Sequence, residues 1–252
     1  MGNQPQALLE RLDAVGQSLR STGNALALLG LGSVGQGLDR LDNYSDLDFF
    51  AIVKDGYKTA YIENLDWLRS ICPIAYHFRN TADGYKLLFE DGIFCEFAVF
   101  EPHELANTPF TGGRIIWKEA GFDDGVLTPP PRTASKQPVE WLLGEALTNL
   151  YVGLGRYHRG EKLSAARFIQ GYAVDRVLEL AAIIEAPQPG YEDIFALERR
   201  FEQRYPGVAN HLPRFVQGYL RSKESARAIL DFLDAHFEVN AAISRAILEL
   251  CG

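Results

Sequence analysis

The chain has 252 residues, of which 47% are hydrophobic and 23% are charged. These proportions are typical of a globular protein and exclude a disordered or fibrous chain. Asp and Glu outnumber Lys and Arg by 33 to 25, so the formal net charge is −8. Because proteins bind duplex nucleic acid largely by neutralising phosphates, this charge argues against a nucleic-acid partner.

The cysteines and the first residues restrict the cellular setting. Cys72, Cys95 and Cys251 are odd in number and widely spaced, which indicates neither a disulfide framework nor a zinc knuckle. The N-terminal residues lack the basic and apolar regions of a signal peptide, and no apolar run reaches transmembrane length. We therefore expect a reduced, cytoplasmic protein with no membrane partner.

The first half of the chain mixes helical and extended patterns. Apolar residues at helical spacing predict helices over residues 5–22 and 58–71. Asp91-Gly92 predicts a tight hairpin turn between two extended runs. Short apolar runs predict strands at residues 25–31, 49–53, 74–78, 85–89, 93–100 and 114–118.

The pattern changes at residues 127–138, which contain four of the twelve prolines. A proline triplet favours an extended spacer, and the sequence after it is almost purely helical. Helices are predicted at residues 139–158, 164–184, 192–204, 208–221 and 224–249. The predicted fold class is α+β: a domain over residues 1–132 with a mixed sheet and helices, then an all-helical bundle domain over residues 133–252.

A glycine-rich turn follows the first predicted strand. Residues 30–35 match the GxGxxG pattern of dinucleotide-binding proteins. That pattern requires a helix after the glycines and an acidic residue at the end of the next strand. Turn-forming residues follow instead, and the acidic pair precedes the apolar run at 49–53. The dinucleotide-binding interpretation therefore fails.

An alternative treats Gly32-Ser33 and Asp46-x-Asp48 as one unit. Residues i and i+2 of an extended segment lie on the same face, so both aspartates point the same way. Two converging carboxylates repel each other unless a hard cation such as Mg²⁺ lies between them. Glycines let the backbone approach phosphates, and the Ser33 hydroxyl can donate to them. The pattern thus indicates a cradle for a metal ion and a triphosphate.

These motifs closely resemble the signature of the nucleotidyltransferase superfamily, which has a DNA polymerase β-like fold. Tyr44-Ser45-Asp46-Leu47-Asp48 and the helical second half resemble its lincosamide- and aminoglycoside-modifying members. Family members carry a third carboxylate on a later strand, and Glu96 is the only charge in its apolar run. An unpartnered buried charge is costly, which favours a metal ion or an acceptor hydroxyl beside it.

The resemblance implies transfer of a nucleoside monophosphate from a nucleoside triphosphate (NTP) to a small-molecule hydroxyl, with Mg²⁺ as cofactor. Asp46 and Asp48 would hold Mg²⁺, and Glu96 would complete a second metal site or act as general base. Gly32 and Ser33 would bind the triphosphate, with Arg40 and Lys162 as candidate basic partners.

The acidic charge favours a cationic aminoglycoside or lincosamide as acceptor. A protein or RNA acceptor, a catalytically silent nucleotide-binding module and a homodimer remain open alternatives.

Overall fold

A computed structural model of the chain describes residues 5–110, 112–129, 137–190, 193 and 196–252. The chain divides into two compact units, Met1–Arg132 and Thr133–Gly252. Each unit has buried hydrophobic clusters of its own. Most of the proline-rich stretch predicted to be a spacer, residues 130–136, lies outside the described residues.

The first unit contains a mixed six-stranded sheet with the strand order β3-β4-β5-β2-β1-β6. Strands β2 and β5 are parallel, and the other neighbouring pairs are antiparallel. Six predicted strands are present, with ends that differ by one or two residues. They are β1 (Ala25–Gly30), β2 (Leu47–Val53), β3 (Ile74–Arg79), β4 (Gly84–Phe89), β5 (Phe94–Phe100) and β6 (Arg114–Lys118).

Three helices cover one face of this sheet: α1 (Pro5–Ser21), α2 (Lys58–Glu63) and α3 (Asp66–Arg69). The predicted helix over 58–71 is therefore two helices. The break occurs where the Asn64 side-chain oxygen accepts the backbone N–H of Asp66 at 2.9 Å, a local bond that competes with the helical pattern.

The other face of the sheet carries a smaller apolar cluster. Its members come from β1, β2, β5 and two of the 3-10 helices that connect the strands. The 3-10 helices of the unit are Gly32–Val34, Leu38–Arg40, Pro102–Asn107 and Asp124–Leu127. Because this cluster covers only part of the face, the remainder is left to polar and exposed side chains.

The second unit is helical, which confirms the α+β fold class. Its apolar cluster is contributed by nearly all of its helices. The helices are α4 (Val139–His158), α5 (Lys162–Arg167), a π-helical segment (Phe168–Ala173), α6 (Val174–Ile184), α7 (Phe201–Arg204), α8 (Pro206–Ala209), α9 (Leu212–Phe215), α10 (Ser222–His236) and α11 (Ala241–Cys251). Within the described ranges, no helix combines the length and the hydropathy needed to cross a membrane.

The later helices are shorter than the apolar spacing predicts. Residues 196–200 are not helical, and parts of the predicted helix over 192–204 lie outside the described residues. The helix predicted over 208–221 is replaced by α8 and α9, each with a proline in its first turn. The helix predicted over 224–249 is split because Asn240 caps α11 by accepting the N–H of Ala242 at 2.9 Å.

Candidate functional site

Asp48 lies at the start of β2, on the sheet face opposite the three helices, and Asp46 directly precedes this strand. Leu47 and Phe49 alternate with them and are buried in the larger core cluster. Both aspartates are half-buried. Within the described residues, the Asp46 carboxylate forms neither a hydrogen bond nor an ion pair. The alternation expected from the sequence thus holds, and it leaves acidic oxygens on the open face.

Glu96 lies directly beside Asp48 in the sheet. Strands β2 and β5 are parallel, and their register pairs Asp48 with Glu96. Adjacent strands are about 5 Å apart, and paired residues point to the same face. Two of the predicted acids, 48 residues apart in sequence by difference of their numbers, are therefore neighbours in the structure.

The Gly32 turn packs against the carboxylate of Asp48. The Leu31 N–H donates to the backbone carbonyl of Asp48 at 2.8 Å, which fixes the turn to the start of β2. Gly32 has φ +53°, and a Cβ built there would lie 2.9 Å from Asp48 Oδ2. A side chain would therefore collide with the carboxylate in a backbone conformation that favours glycine.

Ser33 and Arg40 lie in the two 3-10 helices that connect this turn to Asp46. The Ser33 hydroxyl forms no hydrogen bond to any described residue and is available to a ligand. The Arg40 guanidinium packs over Gly37, where a Cβ would lie 2.3 Å from Arg40 Nε. Two 3-10 helices in place of an α-helix, together with antiparallel pairing of β1 and β2, agree with rejection of the dinucleotide-binding pattern.

Asp42 shapes the turn that precedes Asp46. Its Oδ1 accepts the Tyr44 N–H at 2.8 Å and the Ser45 hydroxyl at 3.1 Å, while Ser45 Oγ accepts the Asp42 N–H at 3.0 Å. These reciprocal bonds hold a compact polar turn. Asp42 therefore has a structural role in presenting the acid pair.

The expectation that Glu96 has no hydrogen-bond or ion-pair partner within the protein is wrong. Lys86 on β4 is paired with Glu96 in register, and Lys86 Nζ lies 3.1 Å from Glu96 Oε2. Asn80 Nδ2 donates to Glu96 Oε1 at 3.1 Å. The Glu96 side chain is 43% exposed, because the smaller apolar cluster does not extend over it. The one charged residue of this apolar run is therefore at a position that the apolar cluster leaves exposed.

The acid pair also affects Cys95, which neighbours Glu96 and is buried on the opposite face. Burial raises the pKa of the Cys95 thiol far above its usual range. Arg11 opposes this shift in pKa, while the carboxylates of Asp48 and Asp46 add to it. A raised thiol pKa disfavours the thiolate, which is the form that acts as a nucleophile.

Lys162 belongs to the second unit, where it is the first residue of α5. Its ammonium lies 5.5 Å from the centre of the Tyr157 ring, a cation–π arrangement. Its predicted contact with a triphosphate stays a prediction.

Sequence reasoning missed a second group of potential metal ligands. Asp55, Glu101 and His103 lie beyond the other ends of β2 and β5, with potential ligand atoms within 4.8 Å of one another. His103 Nδ1 is 3.6 Å from Asp55 Oδ1 and 3.9 Å from Glu101 Oε2. Glu101 is already engaged, since its Oε1 accepts the Gly56 N–H at 2.7 Å. These three residues show no metal-binding spacing in the sequence, since they come together only through the pairing of β2 with β5.

A cavity of about 290 Å³ in the second unit contains none of the predicted site residues. Charged side chains of both signs line it, including those of Arg214, Arg221, Arg227, Glu224 and Asp231. One of these arginines is neutralised locally, since Arg221 Nε lies 3.3 Å from Glu224 Oε1.

Comparisons with known proteins give structural neighbours only. No family model matches the chain, and no curated protein does. An aminoglycoside 6-adenyltransferase from Bacillus subtilis shares 16% identity at a TM-score of 0.35, over 96% of this chain and 90% of that chain. The STING-associated CdnE c-di-GMP synthase from Capnocytophaga granulosa shares 11% identity at a TM-score of 0.31, over 100% of this chain and 80% of that chain. The CD-NTase CdnG from Bradyrhizobium diazoefficiens, solved with GTP, shares 14% identity at a TM-score of 0.31, over 93% of this chain and 95% of that chain.

The TM-scores of these neighbours, 0.31 to 0.35, are too low for any argument about the fold or the activity of this chain. Any function must therefore be argued from the geometry of the acids and the glycine turn.

Proposed function

We propose that the chain is a Mg²⁺-dependent nucleotidyltransferase that moves a nucleoside monophosphate from an NTP to a hydroxyl of a small molecule. The observation that carries the proposal is the in-register pair of Asp48 and Glu96, with the Gly32 turn against Asp48. Asp46 adds a further carboxylate on the same face.

These residues fit a hard divalent cation. Carboxylate oxygens are the donors that Mg²⁺ prefers, and it keeps sites open for water and phosphate oxygens. Gly32 carries no side chain that would cover Asp48 Oδ2, so a cation on that carboxylate would stay accessible to a phosphate oxygen. Asp46 and Asp48 would hold the cation, with Glu96 as a further ligand. Bound there, Mg²⁺ would neutralise phosphate charge and favour the ionised acceptor hydroxyl.

The residues of the chain then position both reactants. The Gly32-Ser33 turn binds the triphosphate through its backbone N–H groups and the Ser33 hydroxyl, and Arg40 on the same connection adds positive charge. The acceptor oxygen forms a bond to the α-phosphorus while the bond from the α-phosphorus to the bridging oxygen breaks, and pyrophosphate leaves. The proton of the acceptor hydroxyl goes to Glu96, or to water if Glu96 completes the metal site.

The acceptor class is inferred from charge. The net charge of −8 and the carboxylates on the open face favour a cationic compound such as an aminoglycoside or a lincosamide. A protein or RNA acceptor would require a basic surface, and the charge balance does not favour one. A silent nucleotide-binding module is the outcome to exclude by experiment.

The first test is pyrophosphate release with Mg²⁺ and each NTP, against a panel of aminoglycosides and lincosamides. Asp48→Asn should reduce acceptor-dependent release at least about 1,000-fold, because a lost metal ligand removes charge stabilisation in the transition state. Asp39→Asn, an exposed acid on the same connection, is the matched control and should retain activity. Undiminished release by Asp48→Asn would overturn the proposal.

A Mg²⁺ titration of Glu96→Gln separates the two roles of Glu96. If Glu96 is a metal ligand, the Mg²⁺ concentration at half-maximal rate rises. If it accepts the proton, kcat falls at an unchanged Mg²⁺ requirement.

A further inference from the structure

Three charged side chains lie side by side on neighbouring strands of the sheet. Asp48 on β2 pairs in register with Glu96 on β5, and Glu96 pairs with Lys86 on β4. Paired residues share a face and lie about 5 Å apart, so the charges along this row are negative, negative and positive. Like charges directly opposite each other are destabilising. The ammonium of Lys86, on the side of Glu96 away from Asp48, offsets part of this repulsion.

Both carboxylate oxygens of Glu96 have partners within the protein. Lys86 Nζ lies 3.1 Å from Oε2, and Asn80 Nδ2 donates to Oε1 at 3.1 Å. The two partners differ in charge, because an amide is neutral and an ammonium is positive. A divalent cation on either oxygen would be repelled by the ammonium but not by the amide. Lys86 and a metal ion therefore compete for Glu96, whereas Asn80 can keep its bond.

Lys86 is able to give up its position beside Glu96. Its side chain is 44% exposed, and among the described residues it forms an ion pair with Glu96 alone. A lysine side chain is flexible and its ammonium is strongly hydrated, so it can turn into solvent at little cost. Asn80, in contrast, is half-buried and has a short side chain, so its amide donor is held beside Glu96.

We propose that Lys86 is a competing cation of the candidate site, and that its ammonium sets how tightly Glu96 binds a divalent metal ion. In the function proposed above, on which this inference rests, Glu96 has two alternative roles, and here it acts as a metal ligand. Lys86 neutralises Glu96 in the metal-free chain and turns into solvent when a metal ion binds. Asn80 is the positioning residue, because it holds Glu96 beside Asp48 during this exchange.

Metal binding itself is the test, with Mn²⁺ as the probe and no nucleotide present. Mn²⁺ prefers the same oxygen ligands as Mg²⁺, and the electron paramagnetic resonance of the free ion measures its concentration. Lys86→Met should lower the dissociation constant for Mn²⁺ about fivefold, which is within the range for loss of an exposed ion pair. Lys86→Arg keeps the positive charge and should bind Mn²⁺ like the original chain. Damage to the fold cannot explain tighter binding.

Two controls separate competition at Glu96 from a general effect of charge. Lys118→Met removes the same charge, since Lys118 is 41% exposed and pairs with Asp124, and it should leave the dissociation constant unchanged. In a Glu96→Gln background, Lys86→Met should have no further effect, because the negative charge for which the two cations compete is gone. Asn80→Ala tests the positioning role and should weaken Mn²⁺ binding about tenfold, as is usual when a residue that orients a metal ligand is lost.

The outcomes distinguish this inference from the proposed function. Tighter Mn²⁺ binding by Lys86→Met supports the competition even if no NTP and acceptor give pyrophosphate release. Unchanged or weaker binding by Lys86→Met overturns it, while loss of release in Asp48→Asn would still support nucleotidyl transfer. A fivefold change that persists in the Glu96→Gln background, or that also occurs in Lys118→Met, identifies a general charge effect and overturns it as well. So does an absence of binding at millimolar Mn²⁺ in both the original chain and Lys86→Met. Unchanged binding in Asn80→Ala overturns the positioning role.

Discussion

At the scale of single residues, Gly32 and Asp48 form one structural feature. The backbone of the Gly32 turn is bonded to β2 through the Leu31 N–H, and the Asp48 carboxylate occupies the space where a Gly32 side chain would begin. The positive φ of Gly32 and the contact with Asp48 constrain this position independently. Comparing Gly32 with a glycine that has a positive φ but no such contact therefore separates the two effects.

Gly32→Ala tests this separation against Gly56→Ala. Gly56 has φ +83°, and no atom lies within 4 Å of a Cβ built there, whereas Gly32 meets Asp48 Oδ2. Backbone strain by itself should lower the unfolding free energy of each variant by about 1 kcal/mol. Only Gly32→Ala should also reduce pyrophosphate release at least about tenfold, because a small displacement of a metal ligand is costly. Urea unfolding and the release assay measure the two effects, and equal activity of the two variants would contradict the argument.

Gly32, Asp46 and Asp48 could be proposed as site residues from the sequence because their relation is local. A strand alternates with period two, so the acid pair can be assigned to one face without a structure. Lys86 and Asn80 could not be found in this way, since their contact with Glu96 depends on the pairing of β4 with β5. Long-range register has no signature in a single sequence.

At the scale of elements, Lys58 connects three segments at the end of the sheet away from Asp48 and Glu96. Lys58 Nζ lies 2.6 Å from Asp83 Oδ1, before β4, and 2.5 Å from Glu104 Oε1, in the 3-10 helix after β5. It also lies 5.2 Å from the centre of the Phe100 ring. Burial lowers the pKa of Lys58, but Asp83 and Glu104 outweigh burial and raise the pKa above its ordinary value.

Lys58→Met should therefore destabilise the chain in a pH-dependent manner. A raised pKa in the folded state means that the charged lysine stabilises the fold at every pH below its unfolded pKa, about 10.5. This contribution is lost as the pH rises through the higher, folded pKa. We expect the variant to lose about 1 kcal/mol of unfolding free energy at pH 8, since the pair is partly screened by solvent.

The difference between the original chain and Lys58→Met should shrink when denaturation is measured above pH 10.5. Lys54→Met is the control, because exposed Lys54 donates to the Gly23 carbonyl and pairs with no carboxylate among the described residues. A difference that does not depend on pH would show that Lys58 acts through packing alone.

The helices of the second unit show where periodicity fails as a predictor. Apolar spacing continues through residues 208–221 and 224–249, yet the helix breaks before α9, which has Pro213 in its first turn, and again at Asn240. Proline lacks the N–H needed inside a helix, and an Asn side chain offers the backbone a competing acceptor. Spacing thus locates the buried face, whereas the ends depend on local hydrogen bonds.

At the scale of the whole molecule, each unit has its own apolar clusters, and no cluster combines described residues of both. The change from mixed to helical patterning at residues 127–138 predicts two domains, because an independent core requires its own set of apolar faces. Lys162 and the site acids lie in different units, so its proposed role depends on an arrangement that local patterns do not encode.

The net charge of −8 leads to the last prediction, which concerns ionic strength. Charges attract a cationic acceptor over a distance of about 10 Å at 0.1 M salt, and this range shortens as salt is added. If kanamycin is an acceptor, its KM should rise about tenfold between 20 and 200 mM NaCl, because it carries several amino groups. Lincomycin carries one amine, so its KM should change less. A KM for kanamycin that is independent of salt would show that the acidic charge does not contribute to acceptor binding.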